Sequence, residues 1–243
     1  MKGLSYVLEI LLPRTCLVCG ERLIAAEKDI CMHCLADMPL TYFWTLAHNP
    51  MADRFNHNIQ KGMEEGGFEP YAYAAALFFY SEDTRYSNIP KSIKYQGALN
   101  AGTRFAAMLG QKIASTDHFR DVDIIIPVPL HWKRKWDRGY NQAEIIARGI
   151  NSVMNVHVRT DLLVRRRRTQ TQTKLNIEEK AANVSGAFQA KALAIPSTVR
   201  HILLVDDVFT TGSTLHACFV ALRSVFPPSV RISVATLGFV GGA

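Results

Sequence analysis

The sequence predicts an α/β protein in which a parallel sheet is flanked by helices, behind a small N-terminal zinc-binding module. Short apolar runs at residues 122–126 and 202–205 alternate with amphipathic helical patterns at 98–113 and 141–153. Apolar strands that alternate with helices are typical of a parallel sheet buried on both faces. Two Cys-x-x-Cys pairs near the start of the chain predict the zinc-binding module.

The zinc prediction depends on cysteine spacing. Cys16 and Cys19 form one pair, and after eleven intervening residues Cys31 and Cys34 form the second. Two such turns can present four thiolates to one structural zinc ion, and His33, inside the second pair, is expected not to bind it. The alternatives are unrelated buried cysteines or two disulfides, which the doubled spacing and the lack of a recognisable secretion signal disfavour.

Composition narrows the class of protein. Of 243 residues, 48% are hydrophobic and 20% are charged, which excludes wholesale disorder. No apolar run approaches the roughly 20 residues that a membrane-spanning helix needs. Residues 1–12 are apolar only in patches, which favours a short amphipathic helix over a signal peptide. We therefore expect a cytoplasmic protein.

The chain is expected to divide into a zinc-binding module over 1–46, a linker or long surface loop over 47–69, and a larger domain over 70–243. The linker is predicted from missing periodicity and scattered Asn and Gly. In the larger domain, strands are predicted at 71–80, 122–126, 202–205 and 230–234, and helices at 98–113, 141–153 and 213–226. Asn141 is expected to form a capping box with Glu144, and Cys218 to be a core thiol.

The positive charge is concentrated. The net charge is +7, and nine of the 28 Lys and Arg residues lie in two short stretches: Lys133, Arg134, Lys135 and Arg138, then Arg165, Arg166, Arg167, Arg168 and Lys174. Such clusters favour an anionic ligand. Trp132 and Trp136 flank the first cluster and share a helical face, which we expect to be packed; exposed, they could stack on bases.

The chemistry is predicted at the end of the apolar run 202–205. Two carboxylates, Asp206 and Asp207, are followed by a small hydroxyl-rich turn that opens a helix: Thr210, Thr211, Gly212, Ser213 and Thr214. Carboxylates can accept hydrogen bonds from a diol or bind Mg²⁺, and amides at a helix start can bind phosphate. Together they match a ribose 5-phosphate. The chain contains no GxxxxGK[ST] or strand-to-helix GxGxxG motif, which disfavours a P-loop or dinucleotide site.

This string resembles the phosphoribosyl-pyrophosphate (PRPP) motif of type I phosphoribosyltransferases. Three more stretches resemble the ComF/GntX family: PVPLH at 127–131, RGYNQ at 138–142, and TxxQxxL at 169–175 continuing to NVxGAF at 183–188. The N-terminal four-cysteine module is also a feature of that family. The resemblance implies a type I phosphoribosyltransferase-like sheet flanked by helices.

The resemblance also implies roles for individual residues. Asp206 and Asp207 would bind the ribose hydroxyls of PRPP, and residues 210–214 its 5-phosphate. Residues 129–131, including His131, would form the pyrophosphate loop, and Lys94 would lie near the pyrophosphate. Residues 165–188 correspond to a mobile loop, in which Lys180 replaces the usual Arg and loses its bidentate geometry.

Three functions are compatible with these features. In the first, a Mg²⁺-dependent transferase uses Arg134, Arg138 and one or two of residues 165–168 to stabilise the negative charge on the departing pyrophosphate. In the second, the fold handles single-stranded DNA together with DNA-processing proteins, because ComF relatives are associated with DNA uptake and GntX relatives with DNA utilisation. In the third, PRPP is sensed without turnover.

Overall fold

A computed structural model describes residues 14–63, 66–166, 186–192, 196 and 198–241, apart from the side chains of residues 133–135. Its helices are α1 (Met32–Ala36), α2 (Pro50–Lys61), α3 (Asn88–Tyr95), α4 (Leu99–Ala114), α5 (Trp132–Arg138), α6 (Gln142–Met154) and α7 (Ser213–Arg223). Its strands are β1 (Ala74–Phe79), β2 (Ile124–Pro127), β3 (His157–Val158), β4 (Leu163–Arg165), β5 (Phe188–Ala190), β6 (His201–Phe209) and β7 (Arg231–Phe239).

Five strands form one parallel sheet in the order β1-β7-β6-β2-β3. Ile202 and Leu204 of β6 enter one hydrophobic cluster, whereas Leu203 and Val205 enter another on the opposite face. Both faces are therefore buried, as the continuous apolar runs predict. The predicted α/β class, with a parallel sheet flanked by helices, is confirmed. The short pair β4 and β5 is antiparallel.

Each face of the sheet is covered by its own helices. On one side α4 and α6 pack so closely that a methyl group on Gly149 would lie 2.5 Å from Cβ of Ala106. On the other side Phe55 of α2 meets Phe219 of α7 edge to face, with ring centroids 6.0 Å apart. The sheet is thus the middle layer of three.

The structure corrects the expectation of a linker or loop over 47–69. Residues 50–61 form α2. Its buried side carries Met51, Phe55 and Ile59, which recur every four residues. The side chain of Asn49 caps the helix by accepting hydrogen bonds from the backbone N–H groups of Met51 and Ala52. This narrow apolar stripe is flanked by Asn and His, which hides its period. The division into domains at 46 and 70 remains a prediction.

The capping box expected at α6 does not form. The Asn141 side chain accepts a hydrogen bond from Ala143 N (3.2 Å) and donates one to the carbonyl of Val128 (3.0 Å). Glu144 pairs with Arg148 instead, at 2.8 Å. Asn141 therefore links the start of α6 to the segment that follows β2, which positions both at the same end of the sheet.

The segment after the cysteines extends the sheet. Leu40 bridges to Phe78 in antiparallel fashion, and Phe79 N donates a 2.8 Å hydrogen bond to the carbonyl of Pro39. The backbone of residues 39–41 thereby covers the outer edge of β1, which would otherwise expose unpaired groups. None of the described helices is long and apolar enough to span a membrane.

Candidate functional site

A cavity of about 140 Å³ opens where β2 and β6 end. Its charged and hydroxylic lining comes from separate parts of the chain: Lys94, Arg138, Arg165, Asp206, Asp207 and Thr214. Pro129 and Leu130 complete one wall. Ligands of parallel sheets bind at the carboxyl ends of the strands, so the cavity lies where the fold class predicts a site.

Two adjacent carboxylates dominate this cavity. Asp206 and Asp207 close the apolar part of β6, and Lys94 Nζ lies 2.8 Å from Asp207 Oδ2. Burial, and then the charge of Asp207, raise the pKa of Asp206 to about 7, against the lowering effect of Lys94. Burial acts to lower the pKa of Lys94, but Asp207 and Asp206 outweigh it and the pKa is raised. The site therefore retains a cation beside a carboxyl group that titrates near neutrality.

The turn after β6 is held from behind by α2. Gly212 adopts φ +78° and ends the turn, and α7 begins at the next residue. Arg54 Nη1 donates a 2.9 Å hydrogen bond to the carbonyl of Thr210, and Asn58 Nδ2 donates a 3.0 Å hydrogen bond to that of Thr211. These carbonyls face α2 and Ser213 N donates to Thr211 Oγ1 at 3.4 Å, so an anion would meet the other backbone amides of the turn and of the start of α7.

Arg54 and Asn58, which hold the turn after β6, were not predicted from the sequence. They lie one helical turn apart on α2, so both side chains reach the same turn. The available signal was Asn49-Pro50, a strong helix start, followed by two polar side chains four residues apart.

The structure brings together only part of the predicted site. Thr214 lines the cavity, whereas Thr210, Thr211, Gly212 and Ser213 form the adjoining turn, in which Thr211 Oγ1 and Ser213 Oγ are 2.8 Å apart. His131 is buried with its ring centroid 5.6 Å from that of Trp132, and it is not among the described residues that line the cavity.

The basic helix α5 contributes one described cation to the cavity. Arg138 lines the cavity and lies over the Tyr95 ring, 5.3 Å from its centroid. Arg134 is on the same helix, but its side chain, like residues 167–185, falls outside the described part of the chain. Most of the stretch predicted to be a mobile loop is therefore not described.

The expectation that Trp132 and Trp136 pack against the protein is wrong. They are 64% and 87% exposed. The reason lies in α5 itself: its other five residues are all charged, so the helix has no further apolar residue to widen a stripe that could be buried. Two indole rings beside a basic cluster are consequently open to solvent.

The four predicted zinc ligands form a compact cluster. Their sulfur atoms all lie within 4.8 Å of one another, and none is in a disulfide: Cys16, Cys19, Cys31 and Cys34. Backbone N–H groups donate to the sulfurs, for example from Cys31 N to Cys16 Sγ at 3.3 Å. Burial acts to raise the pKa of Cys16, but these hydrogen bonds outweigh it and lower the pKa to about 7. A set of four thiolates suits tetrahedral zinc.

His33 stands apart from the cysteine cluster. It is exposed, and its Nδ1 lies 3.3 Å from Asp37 Oδ2.

Cys218 is fully buried in the core on the opposite face of the sheet, as predicted.

Comparison with known proteins agrees with these features. Residues 7–43 match the double zinc ribbon domain family. The chain is 33% identical over 110 residues to Competence protein F of Haemophilus influenzae, covering 45% of this chain and 48% of that protein. It is 37% identical over 93 residues to DNA utilization protein YhgH of Escherichia coli O157:H7 and of Shigella flexneri, covering 38% of this chain and 40% of each relative.

The chain is similar in sequence to these competence and DNA utilisation proteins. The matched region spans less than half the length of each relative. These relatives confirm the resemblance to the ComF/GntX family, and the zinc ribbon match together with the four-sulfur cluster supports a structural zinc ion.

Proposed function

We propose that the chain binds PRPP with Mg²⁺ at the carboxyl end of β6 and acts in DNA uptake or DNA utilisation. The observation that carries this proposal is the meeting of Asp206, Asp207 and Lys94 in one cavity at the start of α7. The names of the relatives support the biological setting.

The groups of the site divide among the parts of PRPP. The two carboxylates accept hydrogen bonds from the ribose hydroxyls, and the amides of residues 210–214, with the dipole of α7, bind the 5-phosphate. Lys94 and Arg138 face the pyrophosphate. In transfer, the bond from C1 to pyrophosphate breaks with its electrons on the leaving group, and these cations stabilise that charge while a nitrogen acceptor bonds to C1.

The residues present also fit a magnesium ion. Asp206 and Asp207 offer the carboxylate oxygens that Mg²⁺ prefers, and burial, followed by the like charge of Asp207, raises the pKa of Asp206. A magnesium ion bound with PRPP would neutralise part of the negative charge of the pyrophosphate.

Affinity for PRPP is expected to increase with pH. Because Asp206 has a pKa of about 7, raising the pH from about 6 to about 8 ionises it and strengthens binding about tenfold. The effect of pH on folding stability has the opposite sign. Because the pKa of Asp206 is higher in the folded protein than in the unfolded chain, its contribution to the free energy of unfolding is lost as the pH rises from about 4 through about 7. Calorimetric titration at several pH values measures the affinity.

The variant Lys94→Ala provides the internal control for this pH dependence. Removing the cation shifts the midpoint to higher pH, since Lys94 favours the ionised form of Asp206. A wild-type affinity for PRPP that does not change between about pH 6 and about pH 8 contradicts the assignment of Asp206 to the PRPP site.

Turnover distinguishes a transferase from a sensor. The protein is incubated with PRPP, Mg²⁺ and a panel of nitrogenous bases, and pyrophosphate release is followed. Base-dependent release supports transfer. Saturable PRPP binding without release under every condition supports sensing.

Binding of single-stranded DNA is a second candidate function, favoured by the exposed Trp132 and Trp136 beside the basic cluster of α5. Base stacking contributes roughly 1–3 kcal/mol per base, so changing both tryptophans to Ala is expected to weaken binding of an oligothymidine at least tenfold. Filter binding at a series of salt concentrations measures this. The matched control Trp44→Phe alters a buried tryptophan and leaves the affinity unchanged. Equal affinities for the double variant and the wild type contradict the proposal.

A further inference from the structure

We propose that the zinc cluster positions Lys94 in the candidate PRPP site, through a hydrogen bond from Tyr86 to Cys34 and through helix α3. Tyr86 thereby acts as a positioning residue. The physical coupling stands on contacts within the chain, whereas its consequence for ligand binding rests on the proposed PRPP site.

The first link joins the metal ligands to the start of α3. The hydroxyl of Tyr86 donates a 2.8 Å hydrogen bond to the backbone carbonyl of Cys34. Tyr86 lies in a single 3₁₀ turn, Arg85–Ser87, and α3 begins at the next residue. The position of Cys34, which four-sulfur coordination fixes, therefore bears directly on where α3 begins.

The second link is the buried face of α3. Ile89 and Ile93 are almost fully buried, in the same hydrophobic cluster as Cys16, Cys31 and Cys34. An eight-residue helix is too short to be stable alone, so its position depends on what it packs against. No side chain caps its start, so the Tyr86 anchor and these two isoleucines are contacts that fix the first part of the helix.

The third link is the far end of α3. Lys94 lies in its last turn, and its ammonium group is 2.8 Å from Asp207 Oδ2. The helix is about 12 Å long, so it transmits a shift at Tyr86 to the position of Lys94. The loop after α5 braces this end, since Tyr140 donates a 2.5 Å hydrogen bond to the carbonyl of Ile93.

A separate contact provides a control. Asp29, between the two cysteine pairs, forms a 2.6 Å ion pair with Arg104 on α4. This contact joins the cysteine segment to the helical layer without passing through Tyr86 or α3. Arg104→Ala therefore removes a polar contact of the cysteine segment while leaving the proposed path intact.

The test uses the zinc-loaded full chain and a readout that needs no ligand. Each variant is treated briefly with the N-hydroxysuccinimide ester of acetic acid, and acetylation of Lys94 is followed by mass spectrometry. Acetylation requires the neutral amine, so a lysine held in an ion pair reacts slowly. Tyr86→Phe, which removes only the hydroxyl, is expected to raise the Lys94 rate about threefold or more, and Arg104→Ala to leave it unchanged.

Binding provides the second readout. Tyr86→Phe is expected to weaken Mg²⁺-PRPP affinity about fivefold in an otherwise unchanged chain, but to add nothing in the Lys94→Ala background. A wild-type Lys94 acetylation rate in Tyr86→Phe overturns the coupling, as does an equal rise in Tyr86→Phe and Arg104→Ala. If the wild type does not bind PRPP, the proposed function fails, while the acetylation rates still decide the coupling.

Discussion

Changing both Asp206 and Asp207 to Asn is expected to abolish Mg²⁺-PRPP binding, with a loss of at least about a hundredfold in affinity. Each carboxylate is proposed to accept charge-assisted hydrogen bonds from a ribose hydroxyl, and such bonds contribute about 1.5–3 kcal/mol each. The change also removes the negative charges that attract Mg²⁺. Calorimetric titration measures the affinity.

The fold is expected to survive this double change. Burial raises the pKa of Asp206, which shows that its charged form is disfavoured in the folded protein, so a neutral amide of similar shape is tolerated. Asp207→Asn also removes the ion pair with Lys94, so the melting temperature should fall slightly while the fold is kept. The matched control is Asp117→Asn with Asp121→Asn. It also removes two carboxylate charges, but from the segment that precedes β2, at the opposite end of the sheet. This control should bind PRPP as the wild type does. Unchanged affinity in the Asp206 and Asp207 variant contradicts the site assignment.

The second large effect is expected at the cysteine cluster. Metal analysis should find about one zinc ion per chain, and Cys31→Ser should lose it, because a hydroxyl group is a far poorer zinc ligand than a thiolate. The Cys31 side chain also accepts a hydrogen bond from Cys34 N at the start of α1, a capping role that serine can keep. Loss of metal in this variant therefore reports on coordination.

Cys218→Ala is the matched control for the metal site. This thiol is fully buried in the core on the other face of the sheet, so removing it should leave the zinc content at one per chain. Full metal retention by Cys31→Ser contradicts the four-ligand site, and metal loss in Cys218→Ala contradicts the assignment of the fifth cysteine.

The parts of the fold with a simple hydrophobic pattern could be predicted from the sequence. The apolar runs predicted at 122–126 and 202–205 contain the neighbouring strands β2 and β6 or their central part, and burial on both faces follows from the absence of alternation. The two carboxylates at the end of β6 could be located in the same way, because the end of an apolar run marks the edge of the sheet.

What could not be predicted depends on contacts between distant segments. The helix α2 was hidden because only one in four of its residues is both large and apolar and lies on its buried side, and the partner that buries it, α7, lies more than 150 residues later. The hydrogen bonds from Arg54 and Asn58 to residues 210 and 211 span the same distance. The exposure of Trp132 and Trp136 is a different case, because the five charged residues that make up the rest of α5 stand in the sequence and leave no wider apolar stripe to bury.

The most direct test of the PRPP site is a calorimetric titration of PRPP into the zinc-loaded wild-type protein with Mg²⁺ present. We expect saturable binding of one PRPP per chain, with competition by ribose 5-phosphate and by pyrophosphate, because each fills one half of the site. Absence of saturable binding, or binding that neither fragment displaces, would contradict a PRPP site at the end of β6.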